Sequence, residues 1–460
     1  MLPDDVLLTI FDFFTIKSGL SKKNTEKWQS LVHVCRRWRN AVFESPRRLN
    51  LRLVCTDKTP ARDTLDVWPP LLLHIRCYIG YPMESVDNVV AVLERSKRVV
   101  EIHLQHLSSS QLERALTALQ EPFPGLMHLV LLLDDESQGT VPLLPDSFLG
   151  GSASHLRLLS LEGIPFPGLP KLLLSATHLV HLFLASIPHS GYIPPEVTVT
   201  VLSTLTGLEN LTLNFQSPRS CPVWASRRQF PSTRFVLPVL RSFCFKGVGE
   251  YLEDLVAHID APQLDILEIT FFNQILFDTP QLMQFISRTP RLKALEKAHL
   301  SFYSRAAVVK LSMQTSNPPW LSVVILCEEL DWQVSSLEQV CTLCFPPLSI
   351  LEDLYISRHS EPDRQDDIED GLWLELLHPF TALKNLYLSK EFARCIAPAL
   401  QELVESGTTE VLPSLQNIFL EELQPSGPVQ EGIQQFVAMR EATSYPVAVS
   451  RWDNSDEDKI

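Results

Sequence analysis

Few residues in this chain are spaced for chemistry, and each candidate has a plainer reading beside it. Gly247-Val248-Gly249 follows an apolar run and precedes a helical pattern, which is the order a dinucleotide-binding loop requires. Leu252 occupies the third glycine position and no wider nucleotide fingerprint surrounds it, so a strand-to-helix turn is predicted. Cys341-x-x-Cys344 has the spacing of half a zinc site, but no second Cys or His pair follows at ligand distance. Val340, Leu343 and Phe345 around them mark both thiols as core. His103 and His106, and His178 and His181, stand three apart. On a helix that interval could converge on a metal, but these pairs flank strand-like leucine runs, where it splits them between faces. The chain contains no G-x-S-x-G, no H-E-x-x-H and no phosphate loop. Asn210-Leu211-Thr212 matches a glycosylation acceptor but lies within a predicted strand. No catalytic residue, cofactor or metal is therefore predicted.

The bulk properties narrow the class further. The chain has 460 residues, 45% hydrophobic and 20% charged, enough for two or three domains or one long repeat domain. Its net charge of −15, from 39 basic and 54 acidic residues, argues against nonspecific contact with nucleic acid or acidic membrane. Nine cysteines are scattered, mostly in apolar runs, without a disulfide rhythm. A helical pattern begins at once from Leu2, so no signal peptide is expected. The longest near-apolar stretch, Leu172–Ile187, contains Ser175, Thr177, His178 and His181 and makes a poor membrane span. A cytoplasmic or nuclear protein is expected, with neither nucleic acid nor membrane as partner.

What must position any functional surface begins with two apolar stripes. Val6, Leu7, Ile10, Phe11 and Phe14 recur at helical spacing behind Leu2-Pro3, with Asp4 and Asp5 suited to a helix start. Leu31, Val34, Cys35, Trp38 and Val42 share one face of a second predicted helix that Ser45-Pro46 ends. The polar stretch Thr15–Lys27 between them reads as a loop.

These residues resemble an F-box, in the F-box-like form that opens many fungal proteins. The match lies in Leu2-Pro3, in Val6-Leu7-x-x-Ile10-Phe11 and in Val34-Cys35-Arg36-Arg37-Trp38-Arg39, followed by Ser45-Pro46-x-x-Leu49. It covers about a tenth of the chain, and the long basic Thr15–Lys27 loop departs from the family's pattern. The resemblance implies three short helices that dock on a Skp-type adaptor and, through it, on the cullin of a RING-type ubiquitin ligase. Leu2, Pro3, Val6, Leu7, Ile10, Phe11, Leu31, Val34, Cys35 and Trp38 are the residues it assigns to adaptor contact. Some of them must instead hold the module together.

Beyond Pro46 a different rhythm takes over. Leu49, Leu51 and Leu53 alternate, as do parts of Leu71–Cys77, and both read as short strands. A unit of the form Leu-x-x-Leu-x-Leu then recurs, as in Leu156-x-x-Leu159-x-Leu161 and Leu208-x-x-Leu211-x-Leu213. From Leu126 to Leu292 its first positions fall at 126, 156, 179, 208, 240, 264 and 292, and copies return at 351, 383 and 415. One strand per period of that length predicts a solenoid with a parallel sheet. Ser110–Leu119, Tyr251–Ile259, Gln281–Ile286 and Trp373–Leu377 carry the apolar spacing of helices between strands.

These units resemble irregular leucine-rich repeats. The usual Asn or Cys after the last strand leucine is missing, with Ile164, Ile187, Gln216 and Val248 among its replacements, so no asparagine ladder is expected in the turns. Leu300–Cys344 reads as one distorted repeat around Val323–Cys327, Gln216–Phe235 as a basic loop and Glu361–Asp370 as an acidic insertion.

The expected architecture is α/β, in four segments. Residues 1–50 form the helical module, 51–97 a linker and cap, 98–445 the solenoid, and 446–460 an acidic disordered tail. The expected function is that of a ubiquitin-ligase substrate receptor that is not itself an enzyme, with an unspecified protein target on the repeats. A non-catalytic interaction scaffold without a ligase role is the other open reading.

Overall fold

The computed structural model describes residues 2–16, 27–46, 48–49, 51–58, 60–61, 65–66, 68–78, 86–133, 141–220, 234–273, 277–293, 295–313, 319–343, 345, 348–359, 370–406, 411–422, 427–443 and 445–452. The basic stretch 221–233, the acidic insertion 360–369 and Cys344 lie outside that set. The chain divides into two compact units, Met1–Val197 and Thr198–Ile460, with the boundary inside the helix Pro195–Leu202.

The first unit opens with helices α1 (Asp4–Ile16), α2 (Lys27–Val32) and α3 (Arg36–Glu44). The continuous second stripe expected from Leu31 to Val42 is broken. After Val32 the backbone tightens, with His33 N bonding Ser30 O and Val34 N bonding Leu31 O. Cys35 then turns extended and serves as N-cap of α3, its Sγ accepting from Trp38 N at 3.5 Å. A helical period carried across the cap concealed it. Arg39 Nε donates to Val32 O at 3.0 Å, and Arg37 joins α3 to the start of α1 through Asp4 at 2.6 Å.

Behind the helices lie parallel strands β1 (Arg52–Cys55), β2 (Leu72–Tyr78), β3 (Val99–Leu107), β4 (His128–Leu133), β5 (Leu158–Glu162) and β6 (His181–Ile187), each paired with the next. The sheet therefore starts within the segment expected to be linker and cap. Alternation explains the leucines: Ile102 and Leu104, Leu129 and Leu131, Leu159 and Leu161, Leu182 and Leu184 are all buried, and the residues between them face the other way. The first leucine of each motif sits in the turn before its strand. Leu126, Leu156 and Leu179 each donate to the carbonyl three residues back, at 3.0–3.1 Å.

In the second unit the same device recurs at Leu208, Leu264, Leu351, Leu383 and Leu415. Its strands are β7 (Asn210–Phe215), β8 (Phe235–Val236), β9 (Ser242–Gly247), β10 (Ile259–Asp260) and β11 (Ile266–Phe271), then β12 (Lys297–Tyr303), β13 (Ala306–Ser312) and β14 (Trp320–Leu326). They end with β15 (Asp353–Arg358), β16 (Asn385–Leu388), β17 (Asn417–Leu420) and β18 (Ala448–Arg451). β8 and β10 pair only with each other.

Where one distorted repeat was expected, β12, β13 and β14 form an antiparallel meander. β14 adds parallel to β11 and β12 adds parallel to β15, so both flanks still continue the parallel ladder. Helices Pro280–Arg288, Leu330–Leu343, Asp370–Leu377, Lys390–Ser406 and Pro428–Ala442 alternate with the later strands. Within the segment expected to be a disordered tail from 446, β18 pairs with β17 through four register partners and Trp452 N donates to Leu420 O. Residues 453–460 lie outside the described set.

The alternation makes a sharp prediction. Leu211 is fully buried in β7, whereas Thr212 beside it is half-buried on the other face. Leu211→Asp costs more than about 4 kcal/mol, because a charge enters a strand core, and Thr212→Asp costs less than about 1 kcal/mol. Urea denaturation followed by circular dichroism checks the contrast.

Candidate interaction surfaces

The helices sort the ten expected adaptor-contact residues. Leu7, Phe11 and Leu31 are buried inside the helical cluster, where Phe11 meets Trp38 edge-on at 4.9 Å. Leu2, Val6, Ile10 and Val34 are 52%, 41%, 47% and 58% exposed, and Pro3 and Cys35 are exposed as well. Phe13, absent from the expected set, is 67% exposed. Val6, Ile10 and Phe13 follow one another at intervals of four and three, so they form one stripe of α1, and Leu2 precedes the helix. Leu7, Leu8 and Phe11 lie on its other side. The helix is apolar on two faces, and a single sequence stripe had merged them. Below it, Trp28 Nε1 donates to Arg52 O at 3.0 Å and its ring meets Trp68 at 5.3 Å, seating α2 on the sheet edge.

The open face of the first unit's sheet carries a polar cluster that the sequence pattern did not single out. Glu101 on β3 is buried, and four cationic or imidazole groups surround it. His74 Nδ1 lies 2.8 Å from it and Arg76 donates at 2.8 Å, both from β2. His103 approaches to 3.3 Å, and His128 on β4 to 3.8 Å. Register makes the cluster, because His74, Glu101 and His128 are neighbours on three adjacent strands. Burial disfavours the Glu101 charge, but bonds from His128, His74 and Arg76 hold its carboxyl well below the usual range. Burial pushes the pKa values of His74 and His103 down, against the pull of Glu101. Spacing of His103 and His106 gave no hint of this, since the partners come from other strands.

The second unit's open face carries a row of rings. His299, Tyr355, Tyr387 and Phe419 occupy matching positions on β12, β15, β16 and β17. They stack nearly parallel, with centroids 4.5, 4.1 and 4.5 Å apart. Trp452 meets Tyr387 edge-on at 5.7 Å and donates to Leu388 O at 3.3 Å. One row over, Asn385 donates to Asp353 at 2.7 Å and Asn417 to Asn385 at 2.8 Å. A ladder of amides is thus present, but on the strands and not in the turns. Lys297 Nζ lies 5.5 Å over the Tyr355 ring, and Lys310 Nζ lies 5.2 Å over Trp320. Burial, with Lys297 and Lys310 nearby, lowers the His299 pKa to about 4.

The other chemical candidates resolve into packing. Gly247-Val248-Gly249 ends β9 and opens the helix Gly249–Val256, and a Cβ on Gly247 would stand 2.6 Å from Phe245 Cζ. The first glycine therefore admits an aromatic ring. Cys341 is buried in the helix Leu330–Leu343. His178 and His106 are exposed, and His106 takes a positive φ of 58°. Among the described residues, no group of three or more His, Cys, Asp or Glu is placed to hold a metal ion. No helix among them is long and apolar enough to cross a membrane.

His299 supplies a pH prediction. Its folded pKa of about 4 lies below its ordinary value of 6.5. As pH falls through that interval the unfolded chain binds a proton that the folded chain does not, so stability is lost on acidification. The loss reaches about 3 kcal/mol by pH 4. The variant His299→Phe should lose this component, seen as a shallower fall in urea midpoint between pH 7 and pH 4.5 than in the unaltered chain.

No family model matches the chain, and no curated protein matches it in sequence. Among solved structures, it is similar to the leucine-rich repeat-containing protein LegL7 from Legionella pneumophila, at 11% identity and a TM-score of 0.27. That alignment covers 84% of this chain and 97% of the other.

Proposed function

We propose that the chain is a protein-interaction receptor, with α1–α3 docking on a Skp-type adaptor of a cullin–RING ubiquitin ligase and the open sheet faces holding a protein target. The observation that carries this reading is the double apolar character of α1. Leu7, Leu8 and Phe11 satisfy the chain's own packing, and Val6, Ile10 and Phe13 remain as an outward apolar stripe behind the exposed Leu2. A contiguous exposed apolar surface is a mark of a protein contact. Its position matches the F-box-like pattern of Leu2-Pro3 and Val6-Leu7-x-x-Ile10-Phe11. In this reading no residue of the chain reacts covalently. The receptor acts by raising the local concentration of target lysines near a charged ubiquitin-conjugating enzyme.

The two faces of α1 separate docking from folding. The pair Val6→Asp and Ile10→Asp should weaken binding to a purified Skp-type adaptor at least about 100-fold while leaving the melting temperature unchanged. Leu7→Ala should instead lower stability by about 2–4 kcal/mol. An intact chain that binds no such adaptor by isothermal calorimetry contradicts the ligase role and leaves the scaffold reading.

A further inference from the structure

We propose that the cluster around Glu101 is an acid-operated latch, which holds strands β2, β3 and β4 together at neutral pH and lets that part of the first unit open when its histidines take up protons. The proposal stands independently of the adaptor reading, because it uses no residue of α1–α3.

The cluster has room for one positive partner and no more. Arg76 reaches Glu101 Oε1 with Nε at 3.1 Å and Nη2 at 2.8 Å, and that pair already balances the buried carboxylate. Three imidazoles crowd the same group, His74 from β2 at 2.8 Å, His103 from β3 at 3.3 Å and His128 from β4 at 3.8 Å. Glu101 is the carboxylate acting on His74 and His103, and Arg76 opposes a proton on either ring. Arg52 on β1 opposes one on His74 as well. The remaining strand neighbours are apolar: Val54 lies in register beside His74, Val130 beside His103 and Leu158 beside His128. Each added proton therefore brings charge that the site does not answer.

His74 carries the argument furthest. It is 2% exposed, and its Nε2 meets no hydrogen-bond partner among the described residues. In a neutral ring that atom can be a bare lone pair, whereas imidazolium places an unpaired N–H donor in the same buried spot. Opening returns the ring to water and to its ordinary value of 6.5. Below that pH the opened strands bind protons that the closed ones do not, so acid favours opening. At pH 5.5 a histidine kept neutral in the closed cluster shifts the balance about tenfold, and His74 with His103 about a hundredfold. The strand beyond β2 is β1, whose Arg52 carbonyl receives Trp28 Nε1, so the affected edge includes the seat of α2.

The test is hydrogen exchange read by mass spectrometry on the full chain at pH 7.5 and pH 5.5, with labelling times scaled to equal intrinsic exchange. Peptides covering β2, β3 and β4 should lose protection at least fivefold at pH 5.5. In His74→Leu that loss should be at least threefold smaller. His103→Gln, at a less buried position, should reduce it as much and decides the matter if the leucine variant leaves these strands unprotected at pH 7.5. His299→Phe, in the second unit, should leave the loss within twofold. A purely structural role for His74 would change protection equally at both pH values. The proposal is overturned if the unaltered chain loses less than fivefold, or if the loss shrinks less than threefold in the histidine variant that folds. It is equally overturned if His299→Phe changes the loss more than twofold, which would mark the opening as global unfolding.

Discussion

A short strand with leucines on one side cannot bury them alone, and this constraint organises both units. Ile102 and Leu104 are buried in register between Ile75 and Cys77 of β2 and Leu129 and Leu131 of β4. The tight turn closed by Leu126, Leu156 or Leu179 delivers each strand in the same register as the last. Once every second residue is committed to the core, the residues between are driven to the open face. They accumulate there in rows, one residue per strand, and those rows are where the molecule's distinctive chemistry gathers.

The meander of β12, β13 and β14 is the exception that this rule tolerates. Both of its outer strands continue the parallel ladder, so the core is uninterrupted while the chain reverses twice within it. Its cost in regularity has a consequence on the open face. It places Lys310 opposite His299, and His299 opposite Tyr355, setting a positive group at the head of the aromatic row. A sequence of uniform repeats would have no such junction.

Much of the ladder was legible because burial and period coincide. The Leu-x-x-Leu-x-Leu copies at 156, 179, 208 and 264 each placed a strand where β5, β6, β7 and β11 lie. The helices Ser109–Ala118 and Pro280–Arg288 also fall where apolar spacing put them. Legibility failed where the controlling partner is distant or the signal is weak. A cysteine cap at Cys35 carries little signature, so the α2–α3 break passed as one helix. β13 alternates as any strand does, and nothing in it announces an antiparallel neighbour. β18 is four residues long and mostly exposed, and its place is set by pairing with β17. The Glu101 cluster draws on His74, Arg76 and His128 from 25 to 27 positions away, and neighbours in the ring row stand 32 to 56 positions apart, beyond the reach of any motif.

The N-terminal helices show the same limit in reverse. Their apolar residues were all visible, but which of them face inward depends on how three helices meet. Leu7 and Phe11 hold the cluster together, whereas Val6 and Ile10 remain available outside. Hydrogen exchange read by mass spectrometry on the full chain, with and without a purified Skp-type adaptor, addresses that division most directly. Added protection confined to α1 and to the segment around Val34, with the sheets unchanged, is the predicted result. Unchanged exchange throughout α1 at saturating adaptor would contradict the account.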